Sequence, residues 1–310
     1  MIQDFFRNEK LSDVLPYDNL ISEGITMEIQ QGNGRVSLSG VQAKLSAVSE
    51  NGVLRLVREG EQGRYILKPI PTALHLLCKD FLPVNEYLCM QIARVVYGIE
   101  TADCGICRWK DGTNVYVTKR FDVNPDGSKR SMEDFAALAG LTKANGGSDY
   151  KYCNLSYEDC ADIIRNHVAA APVEILKFFR IVIYNFLICN DDAHLKNFSL
   201  IERATNDYVL SPAYDLVNTS FHLYQPRIFA LDKGLFKEGQ QMSDVHTVNK
   251  QDFMEFGRSI GLPDKLVERE INRFSTPNAS VDEMVKNIVQ DSNLSNDFLF
   301  SFHFRQQMIR

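Results

Sequence analysis

The sequence predicts an α+β chain of two lobes, strand-rich first and helical afterwards. Three observations carry this. Runs rich in β-branched and aromatic residues, such as 64–69 and 114–122, fall within the first 125 residues. Helix caps and stops dominate the remaining residues. Within that second part, an apolar run from Ile175 to Ile188 gives way abruptly to Asn190-Asp191-Asp192-Ala193-His194-Leu195-Lys196-Asn197. That pattern suggests a buried helix delivering a polar loop into a cavity.

A chain of 310 residues is long enough for two lobes, and 45% hydrophobic with 24% charged residues is ordinary globular composition. The net charge of −6 argues against a broad nucleic-acid surface, so no direct nucleic-acid binding is expected. No stretch is long and apolar enough to span a bilayer, and the first residues, Met1 to Arg7, do not read as a secretion signal. Seven cysteines, an odd number in mostly apolar contexts, read as reduced thiols in a cytoplasm. Cys104 and Cys107 form a CxxC pair without a second pair at zinc-finger spacing. They sit in a strand-like stretch and read as structural thiols.

In chain order, residues 1–36 form an N-terminal segment with no clear pattern. The stretch Gly32 to Ser46 is rich in Gly, Ser and small residues. Backbone amides of such a loop can wrap phosphate oxygens, although no Gly-Lys-Ser/Thr closes it and a hairpin turn has the same composition. Arg64 to Pro69 reads as a strand that ends in Lys68. A helix from about Val84 to Tyr97 follows, stopped by Gly98. Glu86 falls in its first turn, where it could pair with Lys68; the helix dipole alone would also favour a Glu there. Asn114 to Asp122 reads as a strand, and Asn124-Pro125-Asp126-Gly127 as a turn between lobes. The expected lobes are therefore 37–125 and 126–310. Ser156 caps a helix to about Ala171, Pro172 opens the next one, and Asn249 and Ser280 cap later ones.

The chemistry lies in three residues. Asn197 follows Asp192 by five positions, and Asp215 comes later within an apolar stretch. That is the order used by eukaryotic-type kinases. There the first Asp orients and deprotonates the acceptor hydroxyl, the Asn binds magnesium, and the last Asp bridges magnesium to the phosphates. Neither the His-Arg ahead of the first Asp nor the Phe-Gly after the last is present. Asp, His and Asn in a loop are also ordinary turn formers and caps, and a His-Asn metal-dependent nuclease site is conceivable at His194 and Asn197.

Taken together the motifs become more specific. Ser37-Leu38-Ser39-Gly40-Val41-Gln42-Ala43-Lys44-Leu45, Ile66-Leu67-Lys68-Pro69, Asn85-Glu86-Tyr87, Lys119-Arg120-Phe121-Asp122, Asn190 to Leu200 and Pro212-Ala213-Tyr214-Asp215 occur in the order found in the HipA family. These are bacterial Ser/Thr kinase toxins of toxin–antitoxin systems. The resemblance covers the chain from about Val36 past Asp215. Some three dozen residues precede the Gly-rich loop, where full-length HipA carries an extra subdomain. The chain thus looks more like HipT, the short kinase of HipBST systems, and its Ser-x-Ser loop is HipT-like too.

The resemblance implies a bilobal protein-kinase-like fold, ATP and Mg2+ as cofactors, and transfer of the γ-phosphate to a protein hydroxyl. By the same resemblance the acceptor protein is an aminoacyl-tRNA synthetase, and the partners are a small HipS-like protein and a HipB-like DNA-binding antitoxin. Asp192 would be catalytic, and Asn197 and Asp215 would hold magnesium. Ser39, Gly40, Val41, Gln42, Ala43 and Lys44 would form the nucleotide loop. Lys68 would touch the phosphates, and Lys119, Arg120 and Phe121 would flank adenine. His194, Lys196 and Tyr214 would complete the nucleotide site. Ser37 and Ser39 would be autophosphorylated. Lys119 stands where HipA has an acidic residue, which puts adenine or ribose contacts in question. A small-molecule kinase on the same fold and a catalytically dead binding module are the rival readings. The nuclease leaves the Gly-rich loop and Lys68 unexplained.

Overall fold

In a computed structural model of the chain, which describes residues 11–19, 42–73, 75–224, 227–239 and 248–310, an antiparallel five-stranded sheet comes first. Its strands are β1 (Leu45–Glu50), β2 (Val53–Leu56), β3 (Tyr65–Pro69), β4 (Cys104–Arg108) and β5 (Asn114–Lys119), in the order β2-β1-β3-β5-β4. Asn51 and Gly52 join β1 to β2 with φ of 53° and 80°, the left-handed pair that a two-residue hairpin requires.

The faces of this sheet follow from strand alternation. Tyr65, Leu67, Val115 and Val117 share one face with Cys107, Trp109, Leu11 and Leu15. Tyr116 turns to the other face, against helix α1 (Leu82–Gln91). Lys68 lies opposite Tyr116 in the β3–β5 register, so the same alternation points Lys68 at that helix. Cys104 and Cys107 fall on opposite faces, and all seven cysteines are free. Burial pushes both thiols up to about 12, which suits packing residues rather than nucleophiles.

α1 starts earlier than the sequence indicates, with Pro83 in its first turn, and continues as one π-helical turn over Ile92–Val96 before Gly98 takes φ 54°. Glu86 therefore sits in the second turn. The dipole reason for a Glu there falls away, and its partner has to explain it.

The remainder is mainly helical: α2 (Phe135–Leu138), α3 (Lys143–Gly146), α4 (Tyr157–His167), α5 (Ala171–Leu187), α6 (Lys250–Ser259), α7 (Asp264–Ser275), α8 (Ala279–Ile288) and α9 (Ser292–Met308). Ser156 and Asp159 close a capping box on α4, but the helix ends at His167, because Val168 is extended. Pro172 opens α5 and Asn249 caps α6, as expected. The cap of α8 is Asn278, whose side chain accepts the Ser280 N–H, in place of Ser280 itself. A small sheet of β6 (Met132–Asp134), β7 (Ser199–Ala204) and β8 (Asp207–Leu210) has no counterpart in the sequence reading. Its strands are short and carry the charged residues Glu202, Arg203 and Asp207 at their ends. Among the described residues no helix is long and apolar enough to cross a membrane.

α5 is the centre of the main core. Phe178, fully buried, packs its ring against Phe135, Tyr157 and Phe198 at centroid distances of 6.1, 6.3 and 5.2 Å. Phe198 immediately follows Asn197, so this cluster seats the polar loop. Phe178→Ala is expected to destabilise the fold by about 3–5 kcal/mol through the cavity it leaves, measured by urea unfolding. A loss below about 1 kcal/mol would mean that the ring is not the packing centre described.

Candidate active site

Lys68, Glu86 and Asp215 meet at the junction of sheet, α1 and the stretch after β8. Lys68 Nζ lies 2.6 Å from Glu86 Oε1 and also donates to Asp215 Oδ1. Lys68 and Glu86 are buried, and the Asp215 side chain is 23% exposed. The Lys68 ammonium also stands 5.3 Å from the Tyr116 ring centroid, a cation–π contact. Lys44 Nζ adds a 3.6 Å contact to Asp215 Oδ2. Burial opposes charge on every member. For Glu86 it wins and raises the carboxyl, with Lys68 pulling the other way. For Asp215 the Lys68 and Lys44 ammoniums outweigh burial and hold the carboxyl well below the usual range. For Lys68 the two carboxylates outweigh burial and keep it protonated.

The polar loop is delivered as its sequence indicates. α5 ends at Leu187, and Cys189 takes a left-handed φ of 53° that turns the chain. Asn190 then braces it. Its Nδ2 donates to Asn185 Oδ1 at 2.8 Å and Asp215 O at 3.3 Å, and its Oδ1 accepts the Asp192 N–H at 3.2 Å. Thr219 ties the same two stretches: its hydroxyl donates to Cys189 O at 2.7 Å and accepts the Asp191 N–H at 3.0 Å. Asn197 Nδ2 reaches Asp215 Oδ2 at 3.4 Å. Asp215 itself has φ 56°, a left-handed value uncommon outside glycine that Asp tolerates better than most residues. The segment before it is held against residues 100–102 by Ala213 N–H to Glu100 O and Ala102 N–H to Ala213 O.

Gln42, Lys44, Lys68, Glu86, Asp192, Asn197 and Asp215, with Leu82 and Val217, line one cleft of about 380 Å³. Gln42 anchors the end of the Gly-rich loop by donating to Pro69 O at 3.1 Å. Ala43 follows it toward β1. Ser37, Ser39, Gly40 and Val41 lie outside the described residues. The rings of Phe121, expected beside adenine, and Tyr214, expected to line the nucleotide site, meet at 5.7 Å. Lys119 ends β5, and Arg120 pairs with Asp122 at 2.5 Å. Lys196 is drawn to Asp134, also at 2.5 Å. His194 is buried beside the ring of Tyr152, and burial, with Lys151 next, pushes it well below the usual imidazole range.

Three residues hold the site together without a role in the sequence reading, which quotes Asn85 only as part of the Asn85-Glu86-Tyr87 motif. Asn85 donates to Asn218 O at 2.8 Å, meets His222 Nε2 at 2.8 Å and accepts the Asn218 N–H at 3.2 Å. It therefore ties α1 to the stretch after Asp215. His222 also contacts Leu77 O through Nδ1, and burial lowers it to about 4, so a neutral ring serves this network. Tyr152 donates to Asp192 Oδ1 at 2.5 Å. Nothing in the sequence around Tyr152, forty residues upstream, signals the contact.

A metal fits the pair Asn197 and Asp215. Asp215 stays charged, and the Asn197 amide beside it would supply its Oδ1 after giving up the His194 N–H that this oxygen accepts at 3.2 Å, since Nδ2 now faces Asp215. Such a sparse set suits magnesium, which takes one or two protein oxygens and leaves the others to phosphate and water.

The bilobal arrangement is that of a protein-kinase-like α+β fold. HipA of Shewanella oneidensis MR-1, solved with HipB and operator DNA, superposes with a TM-score of 0.69 at 19% identity over 92% of this chain and 67% of that one. The Helicobacter pylori proinflammatory kinase CtkA gives 0.53 at 16% identity over 90% of this chain and 92% of that one. Residues 36–290 match the HipA-like C-terminal domain model, and the chain belongs to that family. A Haemophilus influenzae relative named "Putative kinase" is 28% identical over 279 residues, covering 85% of this chain and 78% of its own length. A Sinorhizobium fredii relative is 29% identical over 247 residues; the chain spans 56% of that protein's length.

Replacing the buried ammonium leaves two carboxylates facing each other. Lys68→Met is expected to cost roughly 3 kcal/mol at neutral pH. A carboxyl with a depressed folded pKa contributes stability above its unfolded value and loses it as the pH falls through the folded one. For Asp215 the gap between wild type and variant should therefore narrow below about pH 4. Denaturant unfolding at neutral and acid pH checks this; an equal gap at both would contradict the pairing.

Proposed function

We propose that the chain is a HipA-like protein kinase that transfers the γ-phosphate of ATP to a serine or threonine hydroxyl of a protein. The observation that carries this is the convergence of Lys68, Glu86, Asp192, Asn197 and Asp215 on one cleft. Binding alone does not require a buried Lys–Glu–Asp set facing a second Asp. The family, and the kinase designation of its relatives, point the same way.

The residues divide the work. Lys68, held by Glu86, and Lys44 bind phosphate oxygens, and Ser39 to Lys44 are the proposed nucleotide loop. Asp215 and Asn197 hold magnesium, which supplies charge neutralisation on the phosphates when bound. Asp192 orients the acceptor hydroxyl and takes its proton. Phe121 and Tyr214 offer adenine an aromatic face, the Lys119-Arg120 backbone serves as hinge, and His194 and Lys196 border the site. The working lobes are 37–125 and 126–310.

The finer reading rests on the family resemblance. An aminoacyl-tRNA synthetase is the proposed acceptor in a cytoplasmic setting. A HipB-like antitoxin and a HipS-like small protein are the proposed partners, as for the short HipT kinases. The Shewanella HipA, solved with HipB and operator DNA, supports the antitoxin. Ser37 and Ser39 are the proposed autophosphorylation sites. A phosphoserine there brings close to two negative charges that compete for the amides serving the nucleotide.

Labelled ATP with a protein acceptor tests this, together with mapping of label on the chain itself. Asp192→Asn is expected to lower transfer at least about a hundredfold while keeping much of the ATP affinity. Asp215→Asn is expected to lose affinity for ATP with magnesium. Label on Ser37 or Ser39 should appear in the wild type and vanish in Asp192→Asn. Near-normal transfer by both variants would refute the site; label on neither serine in active protein would refute the loop modification alone.

A further inference from the structure

The turn at 149–153, between α3 and α4, has no regular secondary structure yet is fastened to the polar loop and to the stretch around Asp232. Lys151 O accepts the Leu195 N–H at 3.1 Å, and Tyr152 O accepts the Asp232 N–H at 3.0 Å. Cys153 Sγ lies 3.2 Å from Asp232 Oδ2. The Tyr152 ring is 1% exposed, meets the His194 ring edge-on at 5.0 Å, and has Lys151 Nζ 5.0 Å from its centroid. Its hydroxyl is thus carried to Asp192 Oδ1 by main-chain bonds on one side and a ring contact on the other.

We infer that Tyr152 is a positioning residue of Asp192: its phenol holds one carboxylate oxygen and thereby helps to set the plane in which the carboxylate meets an acceptor hydroxyl. This rests on the phosphoryl-transfer reading of the cleft. Loop bonds fix the main chain at Asp192, through Asn190 Oδ1 to its N–H and the His194 N–H to its O. They do not fix the carboxyl rotation, which is intrinsically broad. A directional donor does. A buried tyrosine hydroxyl needs a partner, and a neutral carbonyl suffices: Tyr157 uses Ala193 O at 2.9 Å and Tyr184 uses Cys89 O at 2.6 Å. Tyr152 instead spends its donor on a carboxylate, where the charge-assisted bond is shorter and stronger. To an ionised carboxylate the phenol can only donate, so the contact is matched to the form of Asp192 that accepts a proton. The same turn bonds residues 195 and 232, which ties the carboxylate plane to the polar loop and to the stretch around Asp232.

Tyr152→Phe removes one oxygen and keeps the ring. Expected are a fall in kcat of about tenfold to a hundredfold, KM for ATP within about twofold and an unchanged melting temperature. Added to Asp192→Asn, it should lower the rate no further, because the two act as a unit. A full kcat in Tyr152→Phe, in a protein whose transfer Asp192→Asn abolishes, overturns the positioning role and leaves the kinase reading intact. So does a rise in KM for ATP that matches the fall in kcat, the mark of a structural role. A wild type that transfers no phosphoryl group overturns both. If Tyr152→Phe melts early, tyrosine carbon NMR on Asp192→Asn decides. One ring carbon bonded to hydroxyl should shift when its acceptor becomes an amide, and an unmoved spectrum overturns the inference.

Discussion

A single buried ammonium fixes how the two halves of the molecule meet. Lys68 comes from β3, Glu86 from α1, and Asp215 from the stretch after β8. A charge removed from water must be paired or its burial becomes prohibitive. The three elements therefore approach until all three groups are satisfied. The strand register does the rest: Lys68 opposite Tyr116 can only face α1, and Leu67 faces the other way into the apolar layer. Sheet, helix and loop thus meet at one charge.

Neutral contacts stiffen the same junction. Asn85 and His222 join α1 to the Asp215 stretch, and Asn190 and Thr219 join that stretch to the polar loop. Amides and hydroxyls can do this because each donor there has a backbone or side-chain acceptor, which is the condition for burying polar groups. Burial keeps the His222 ring uncharged well below neutral pH, so the brace does not compete with Lys68 for the carboxylates. Beneath the cleft, Ala73, Leu76, Leu82, Val217 and Leu223 form a small apolar cluster of their own. Leu82 and Val217 thus give the cleft an apolar wall.

Much of this is legible in the residues alone. The apolar run into α5, the polar loop, the strand ending in Lys68 and the Lys68–Glu86 pair all carry local or periodic signals. The illegible part depends on contacts without them. Tyr152 reaches Asp192 from a turn with no pattern, and Asn85 looks like any helical Asn until His222 is placed beside it. The sequence puts Glu86 in the wrong turn because Pro83 permits an earlier helix start. The cap of α8 falls to Asn278 instead of Ser280 because either residue type serves and only geometry chooses. β6 to β8 escape notice because charged, three-to-six-residue strands resemble loops.

Lys68, Asn197 and Asp215 are the proposed place for nucleotide phosphates and magnesium. Calorimetric titration of ATP into the full chain, with and without magnesium, addresses it most directly. Saturable binding that tightens when magnesium is added is the expected result. No saturable binding, or binding indifferent to magnesium, would contradict it.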